Sequence, residues 1–326
     1  MVQRGAAHNP SSASSSCAEA FASIESALGQ AIQGKPEVVR LALTCLAARG
    51  HLLIDDVPGV GKTTLAQALA RSVDCGFHRV QFTSDMLPSD VVGVTIYNAA
   101  STEFEFKPGP IFTNFLLADE INRATPKTQS ALLEAMNEQQ VTVDGRSCPL
   151  EQPFMVIATQ NPAEHHGTYP LPESQLDRFL MRLEIGYPEA GAERNILRQK
   201  GSTSAAGVQP VIHGDRLREL QNTVTEVTVD ESLVDYILAI VEQTRSHDEL
   251  AMGVSPRGAQ ALFRATQAIA AVDGRDFATP EDVKHVAIPV CAHRVIVNAR
   301  LALNRHSATV ATEILKQILT LVDVPL

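Results

Sequence analysis

A glycine-rich segment at residues 57–64 carries the residue types that bind a phosphate group. It reads Val57-Pro58-Gly59-Val60-Gly61-Lys62-Thr63-Thr64. At Gly59 and Gly61 the absence of a Cβ lets the backbone turn its N–H groups inward, close to an anion. Lys62 can reach the β- and γ-phosphates of a nucleotide, and the Thr63 hydroxyl can hold Mg²⁺. The segment therefore predicts a site for a nucleotide with Mg²⁺.

The elements expected on either side of this segment also suit an anion site. The apolar run 52–54 before it is typical of a buried strand, and the helix predicted over Thr64–Val73 directs its positive end at the anion. The chain departs from the signature G-x-x-x-x-G-K-[ST] at one position, because Asp56 stands where the first glycine would be. That residue only opens the loop, so we expect the departure to be minor. A glycine turn that binds nothing is the alternative interpretation.

A pair of carboxylates, Asp119-Glu120, ends the apolar run Ile111–Ala118. Such a run predicts a buried parallel strand with the carboxylates at its C-terminal edge. The aspartate there can hold Mg²⁺, and the glutamate can take a proton from the water that attacks the γ-phosphate. Two solvated carboxylates closing a strand are the alternative, which the phosphate-binding segment disfavours.

Three polar residues are further candidates. Asn161 follows the strand predicted over Phe154–Thr159, and it can orient the attacking water if that strand lies beside the Asp119 strand. An ordinary Asn-Pro turn is the alternative. Arg178 or Arg123 can neutralise charge developing on the γ-phosphate, and in a ring of subunits such an arginine would serve the neighbouring site. The residues alone leave the choice between the two arginines open.

Arg257 stands in the first turn of a helix predicted to begin after Ser255-Pro256. A cation is electrostatically unfavourable at a helix N-terminus, so an arginine there hints at an anionic partner. Aimed into a cleft between two domains, it could sense the γ-phosphate and move the second domain. A solvated arginine at a helix start is the alternative.

The positions of predicted elements divide the chain into two domains after a flexible tail over residues 1–17. Strands and helices alternate from residue 18 to about 187, which predicts a parallel sheet with helices on both faces for a domain over 18–200. Hairpins are predicted at 91–113 and 141–151. After a linker at 201–207, the domain over 201–326 is expected to be helical, with helices at 216–225, 232–245, 256–271, 280–290 and 308–322.

Composition restricts the possible functions. The chain has 326 residues and a formal net charge of −10, which disfavours binding along a nucleic-acid backbone. Its five cysteines include no C-x-x-C, which argues against a disulfide framework or a zinc site, and His165-His166 is interpreted as a polar loop. No apolar run approaches the roughly 20 residues of a membrane span. We expect a soluble, cytoplasmic protein without membrane insertion.

Five segments together resemble the MoxR-type AAA+ ATPases, and the likeness extends from about Ala27 to the C-terminus. They are IDDVPGVGKTTLA at 54–66, ADEINRA at 118–124, IATQNP at 157–162, GTYPLPESQLDRF at 167–179 and GVSPR at 253–257. The resemblance implies an α/β fold: an AAA+ P-loop NTPase core with a parallel sheet and β-hairpin inserts, followed by a small all-α lid domain. It also implies a ring of identical subunits, usually a hexamer.

The resemblance implies roles for individual residues. By this resemblance, Lys62 and Thr63 contact ATP or ADP with Mg²⁺, and Asp119 binds the metal. Glu120 is the catalytic glutamate, Asn161 the first sensor and Arg257 the second sensor. Arg178 is the finger, and Gly34 lies near the adenine. Members of the family are chaperone-like factors that mature or activate client proteins, often paired with proteins carrying von Willebrand factor A domains. The hairpins resemble the family's helix-2 and pre-sensor inserts.

Our leading hypothesis is therefore an ATP-hydrolysing chaperone that remodels client proteins. A nucleotide-gated binding module with negligible turnover is the second hypothesis. A nucleic-acid motor or transcription activator on the same core is the third, and the net charge of −10 disfavours it. A small-molecule kinase is weaker still, because the sensor arginine and the helical domain indicate a ring motor.

Overall fold

The computed structural model of the chain describes residues 10–161, 167–188, 205–298 and 307–325, together with 191, 193 and 194. The loop predicted at His165-His166 and residues 201–204 of the predicted linker lie outside this part. No helix within the described ranges is long and apolar enough to cross a membrane.

Five parallel strands form the central sheet, as the alternation of strands and helices predicts. They are β1 (Leu52–Asp55), β2 (Phe77–Gln81), β5 (Phe115–Asp119), β8 (Met155–Gln160) and β9 (Met181–Leu183). Their order across the sheet is β2-β5-β8-β1-β9. Because β8 pairs with β5 on one side and β1 on the other, the carboxyl ends of these three strands meet at one edge.

Both faces of the three central strands β1, β5 and β8 are buried, which explains why these strands are continuous apolar runs rather than alternating ones. Leu52, Ile54 and Leu117 belong to a core with three helices, α1 (Pro10–Ala31), α2 (Pro36–Ala47) and α3 (Lys62–Ser72). Leu53 and Leu116 point the other way, into a second core with α4 (Pro88–Val92) and α5 (Pro126–Glu138). Thr125 caps α5 and Pro126 opens it, as predicted.

The strand predicted over Ile111–Ala118 is wrong in its first half, because β5 begins only at Phe115. Residues 111–114 turn instead: the Ile111 N–H donates to the Val91 carbonyl (3.2 Å) and the Thr113 N–H donates to the Ile111 carbonyl (2.8 Å). Ile111 is nevertheless fully buried. A continuous apolar run reports burial, and it cannot tell a buried turn from a buried strand.

Two antiparallel hairpins are present where they were predicted. One pairs β3 (Gly93–Asn98) with β4 (Glu103–Pro108), and the other pairs β6 (Gln140–Val143) with β7 (Arg146–Pro149). Both contribute side chains, among them Phe104 and Arg146, to a cavity of about 520 Å³ between them. Phe104 is 74% exposed, so the first hairpin presents an aromatic surface to solvent.

The C-terminal region is helical, with one addition. After the short helix α6 (Glu173–Leu176), its helices are α7 (Gly214–Val224), α8 (Glu231–Ser246), α9 (Pro256–Val272), α10 (Pro280–Cys291) and α11 (Ser307–Leu321), each matching a predicted helix. The addition is an antiparallel pair, β10 (Leu250–Met252) with β11 (Ile296–Val297), whose strands are too short for their periodicity to be recognised. The region packs on the sheet domain, where the Gln221 amide donates to the Leu46 carbonyl (2.7 Å).

Helix α1 begins inside the segment predicted to be a flexible tail. It starts at Pro10, so the tail prediction is wrong for residues 10–17. Helices propagate cooperatively from a packed turn, and Phe21 and Ile24 in the same helix are fully buried. The boundary predicted between residues 200 and 201 stays a prediction.

Candidate functional site

The phosphate-binding segment forms a loop between β1 and α3, and its two glycines adopt conformations that other residues avoid. Gly59 has a φ of 87° and Gly61 a φ of 100°, both in the left-handed region. A Cβ on Gly59 would meet nothing within 4 Å, so the space beside this residue is open. Helix α3 begins at Lys62, and the N–H groups of its first turn, which lack intrahelical partners, face the loop.

Lys62 lies across this loop. Its ammonium group donates to the carbonyl of Asp56 and to that of Gln160, the latter at 3.2 Å. Burial lowers the pKa of Lys62, while the carboxylates of Asp56 and Asp119 oppose that shift. A partly desolvated cation attracts phosphate oxygens more strongly than a hydrated one, which suits Lys62 for binding a polyphosphate.

Asp119 ends β5 and is held by two side chains from neighbouring strands. The Thr159 hydroxyl donates to its Oδ1 (2.5 Å), and Arg79 donates to its Oδ2 from Nη2 (2.6 Å) and Nε (3.1 Å). Arg79 was not among the residues predicted for the site. It stands on β2, which pairs with β5, and no local pattern in the sequence indicates that pairing.

Glu120 adopts a left-handed conformation, with φ 56° and ψ 49°, which is uncommon for a residue with a side chain. Its N–H donates to the Thr159 hydroxyl (2.9 Å), and its carboxylate pairs with the Arg123 guanidinium (2.9 Å from Oε2 to Nε). Thr159 thus contacts Asp119 through its proton and Glu120 through its oxygen. This threonine was not among the predicted site residues either, and was predicted only to end a strand.

Asn161 comes directly after β8, and that strand does lie beside β5, which was the condition for its predicted role. Its side chain is buried and lines a cavity of about 350 Å³ with the other candidates. The full lining is Pro58, Gly59, Gly61, Lys62, Thr63, Thr64, Arg79, Gln81, Asp119, Glu120 and Asn161. The structure therefore brings together the predicted phosphate-binding, metal-binding and water-orienting residues from the loop, the start of α3 and the carboxyl ends of β5 and β8.

A second cavity, of about 180 Å³, adjoins the first and shares the residues Gly59, Gly61 and Thr64 with it. Its other walls are Ala31, Ile32, Gln33, Lys35, Val60, Ile185, Gly186 and Pro188. Gly34, predicted to lie near the adenine, stands between two of these residues with a φ of 75°. The mixed apolar and backbone lining suits a base and a ribose, with the phosphates extending into the larger cavity.

Arg178 and Arg257 line neither of these two cavities. Arg178 donates from Nη1 to the Leu133 carbonyl (2.6 Å). The adjacent Asp177 pairs with Arg294 of the helical region (2.7 Å). Arg257 is exposed in the first turn of α9, where Ser255 provides the N-cap. The structure thus places neither arginine with Lys62 and Glu120 of the same chain.

The residues present fit a nucleotide with Mg²⁺. The open loop with two left-handed glycines matches a phosphate, and Thr63 and Asp119 line the same cavity with the oxygen ligands that Mg²⁺ prefers. Bound there, the metal would neutralise charge on the β- and γ-phosphates.

Family models match two segments of the chain. Residues 51–181 match the ATPase family associated with various cellular activities (AAA), and residues 242–318 match the AAA lid domain. The first segment contains the loop and both carboxylates, and the second covers most of the helical region.

Several known proteins are similar to the chain over most of its length. The uncharacterized protein YeaC of Bacillus subtilis is 47% identical over 91% of this chain and 95% of its own. Chaperone MoxR1 of Mycobacterium tuberculosis is 42% identical over 86% of this chain and 79% of its own. A crystal structure from Cytophaga hutchinsonii, described as a "putative ATPase", superimposes with a TM-score of 0.88 at 37% identity, covering 96% of this chain and 97% of that one.

Proposed function

Because this chain belongs to the MoxR family of AAA+ ATPases, we propose that it hydrolyses ATP with Mg²⁺ and uses the reaction to remodel client proteins. The observation that carries this proposal is the single cavity lined by Lys62, Thr63, Asp119, Glu120 and Asn161. Together these side chains supply a phosphate-binding cation, metal-binding oxygens, a base and a water-orienting amide.

Each side chain has a role that follows from its place in the cavity. Lys62 and the N–H groups of the loop would bind the phosphate oxygens, and Thr63 with Asp119 would hold the metal. Glu120 removes a proton from the attacking water, which the Asn161 amide orients. Thr159 bonds to Asp119 and to the backbone of Glu120, so one side chain positions both the metal ligand and the base.

A ring of subunits accounts for the two arginines outside the cavity. In such a ring, Arg178 serves the site of the adjacent subunit, and Arg257 on the helical lid senses the nucleotide when the lid closes. Arg123 pairs with Glu120 within one chain, which favours Arg178 as the finger. We propose a hexamer, the usual assembly in this family.

The hairpins are the parts that contact the client. Phe104 and Tyr97 stack edge to face on the first hairpin, with ring centroids 5.4 Å apart, and both are exposed. Exposed aromatic side chains bind other proteins through their large apolar area. A protein with a von Willebrand factor A domain is the client class we propose, because family members are often paired with such proteins.

The test is the Mg²⁺-dependent ATPase activity of the purified chain, measured with and without its client. The expected result is hydrolysis that requires Mg²⁺, and a Glu120→Gln variant that binds ATP but hydrolyses it roughly 10²–10⁴ times more slowly. A ring that shows no Mg²⁺-dependent hydrolysis in either condition would contradict the proposal. Continued turnover by Glu120→Gln would show that Glu120 is not the base.

A second function, a nucleotide-gated binding module, is favoured by one observation. Arginines hold both carboxylates, Arg79 on Asp119 and Arg123 on Glu120, so neither is free for catalysis in this conformation. Client binding measured with ATP, with ADP and without nucleotide distinguishes the two functions when it is combined with turnover. Binding that follows the nucleotide without any hydrolysis would support the module.

A further inference from the structure

Asp56, which replaces the first glycine of the loop signature, is the most heavily bonded residue of the loop. It follows β1, and only 8% of it is exposed. Its Oδ1 accepts from the Val57 N–H (2.7 Å), and its Oδ2 accepts from the N–H groups of Ile185 (2.7 Å) and Gly186 (2.6 Å). Three backbone N–H donors on one carboxylate form strong, charge-assisted hydrogen bonds.

These bonds connect two parts of the chain that are far apart in sequence. Val57 begins the phosphate-binding loop, and the Asp56 carbonyl itself accepts from the Lys62 ammonium group. Ile185 and Gly186 follow the edge strand β9 and lead toward the helical region. A glycine at position 56 would have no side chain to make this connection.

The two connected parts both line the smaller cavity. Ile185 and Gly186 form one part of its wall, and Gly59 and Gly61 of the loop form another. The distance between these parts determines how closely both can contact a ligand in the cavity. The hydrogen bonds of Asp56 therefore set the position of Ile185 and Gly186 relative to the loop.

We propose that Asp56 is a positioning residue that holds the phosphate-binding loop against the Ile185–Gly186 wall and thereby sets the affinity for the nucleotide. The proposal deepens the proposed function, since it takes the occupant of the cavity to be an adenine nucleotide. Asp56 does not line the larger cavity that contains Glu120. Its loss should therefore weaken binding of the ground state and leave the chemical step nearly unchanged.

A purely structural role is the competing explanation, and another buried aspartate provides a matched control. Asp282 in α10 is 5% exposed, accepts from the Thr279 N–H (2.7 Å) and hydroxyl (2.9 Å), and pairs with Arg275. Replacing it by asparagine disturbs buried hydrogen bonds of a side chain that lines neither cavity. It should lower the melting temperature without changing nucleotide affinity.

The experiment compares Asp56→Asn, Asp56→Gly and Asp282→Asn with the wild type. ADP affinity is measured by isothermal titration calorimetry, KM and kcat for ATP by steady-state kinetics, and folding by the melting temperature. Asp56→Asn keeps the shape of the side chain but places an NH2 group where a carboxylate oxygen accepts N–H groups. Because it is the milder change, this variant keeps the comparison possible if Asp56→Gly does not fold. Asp56→Gly restores the general signature.

Both Asp56 variants should bind ADP about tenfold or more weakly, because the loop is no longer held against the Ile185–Gly186 wall; tenfold corresponds to about 1.4 kcal/mol of binding free energy. KM should rise with a nearly constant kcat, and Asp282→Asn should change neither. Unchanged ADP affinity and KM in Asp56→Asn would overturn the proposal, as would a loss of kcat at constant KM. The ADP titration does not depend on ATP hydrolysis. If the variants bind ADP more weakly but the chain hydrolyses no ATP, the proposed function is refuted and the role of Asp56 is not.

Discussion

The hydroxyl of Thr159 on β8 donates a 2.5 Å hydrogen bond to Asp119 at the end of β5, and it accepts the N–H of Glu120 at 2.9 Å. One fully buried side chain thus holds both carboxylates of the cavity in place. The left-handed backbone of Glu120 has a cost, and this hydrogen bond helps to maintain it.

Thr159→Val should lower kcat while leaving ADP affinity nearly constant. Valine matches threonine in shape but cannot bond to Asp119 or to the Glu120 N–H. A lost buried hydrogen bond costs about 1–3 kcal/mol, which corresponds to a roughly 5- to 150-fold slower reaction if it falls on the transition state. Thr159→Ser keeps the hydroxyl and should restore most of the rate.

The control for this change is Thr266→Val in α9, where a buried threonine donates to the Leu262 carbonyl (2.9 Å) away from the cavities. It should alter stability only. An unchanged kcat in Thr159→Val would show that the threonine does not position the catalytic carboxylates.

Arg79→Ala should lower the Mg²⁺ concentration that gives half-maximal nucleotide binding. The Arg79 guanidinium occupies the Asp119 carboxylate, so it competes with a metal for that ligand. The pair is partly exposed, and such pairs contribute about 0.2–1 kcal/mol, so we expect an effect of up to about fivefold. The measurement is the Mg²⁺ dependence of fluorescent ADP binding.

Arg218→Ala is the matched control, because Arg218 pairs with Asp215 on an exposed helix surface (2.6 Å). It should leave the Mg²⁺ dependence as in the wild type. A higher Mg²⁺ requirement in Arg79→Ala would mean that Arg79 assists metal binding rather than competing with it.

Arg178→Ala and Glu120→Gln should each be inactive as pure samples, but a mixture should recover activity. In a mixed ring, an Arg178→Ala subunit keeps its own Glu120 and can receive Arg178 from a Glu120→Gln neighbour. Random mixing in equal amounts makes about a quarter of the interfaces competent. The loss in the pure Arg178→Ala sample should be roughly 10³–10⁵ in kcat.

The mixture should be assayed after subunit exchange, with Arg123→Ala in place of Arg178→Ala as a parallel sample. Arg123 contacts Glu120 within its own chain, so its effect should not be complemented by a neighbour. Recovery with Arg123→Ala but not with Arg178→Ala would reverse the assignment of the finger.

Stability should fall as the pH drops from 7.5 to 5, and His51 should account for part of the loss. Its Nδ1 accepts from the Val156 N–H (3.0 Å) and its Nε2 lies 3.1 Å from the Met136 carbonyl, which requires a neutral ring protonated at Nε2. Burial lowers the pKa of His51 to about 4. Since this group binds its proton more tightly in the unfolded chain, stability is present above pH 6.5 and is lost toward pH 4.

For this single group the loss between pH 7.5 and pH 5 should be about 2 kcal/mol. Urea unfolding of the wild type and of His51→Gln at several pH values measures it, because glutamine can make similar hydrogen bonds without titrating. Equal pH dependence in the two proteins would refute the role of His51. The comparison of slopes remains valid if the variant is less stable overall.

Much of the fold could be predicted because its signals are local. Thr125-Pro126 marked the start of α5 and Ser255-Pro256 the start of α9, since caps and prolines act within one turn. The antiparallel pair of Leu250–Met252 with Ile296–Val297 was not predicted, because strands this short carry no periodicity. The turn at 111–114 was mistaken for strand because burial, and not conformation, makes a run apolar.

The candidate site could be predicted only in part, because sequence patterns are local and the site is assembled from several strands. Lys62, Asp119, Glu120 and Asn161 were identified from motifs, and the structure places them in one cavity. Arg79 and Thr159 were missed, because each lies 40 residues from Asp119 and reaches it through the pairing of parallel strands. No local pattern encodes which strand lies beside which.

By itself, the sequence determined the left-handed phosphate-binding loop, because glycine spacing and the following helix act over a few residues. It also determined the family, through motifs that stand in order along the chain. Only the tertiary structure decided what each charged group contacts. Asp56, treated as a minor departure in the sequence, connects two parts of a cavity wall because strands β1 and β9 are neighbours in the sheet.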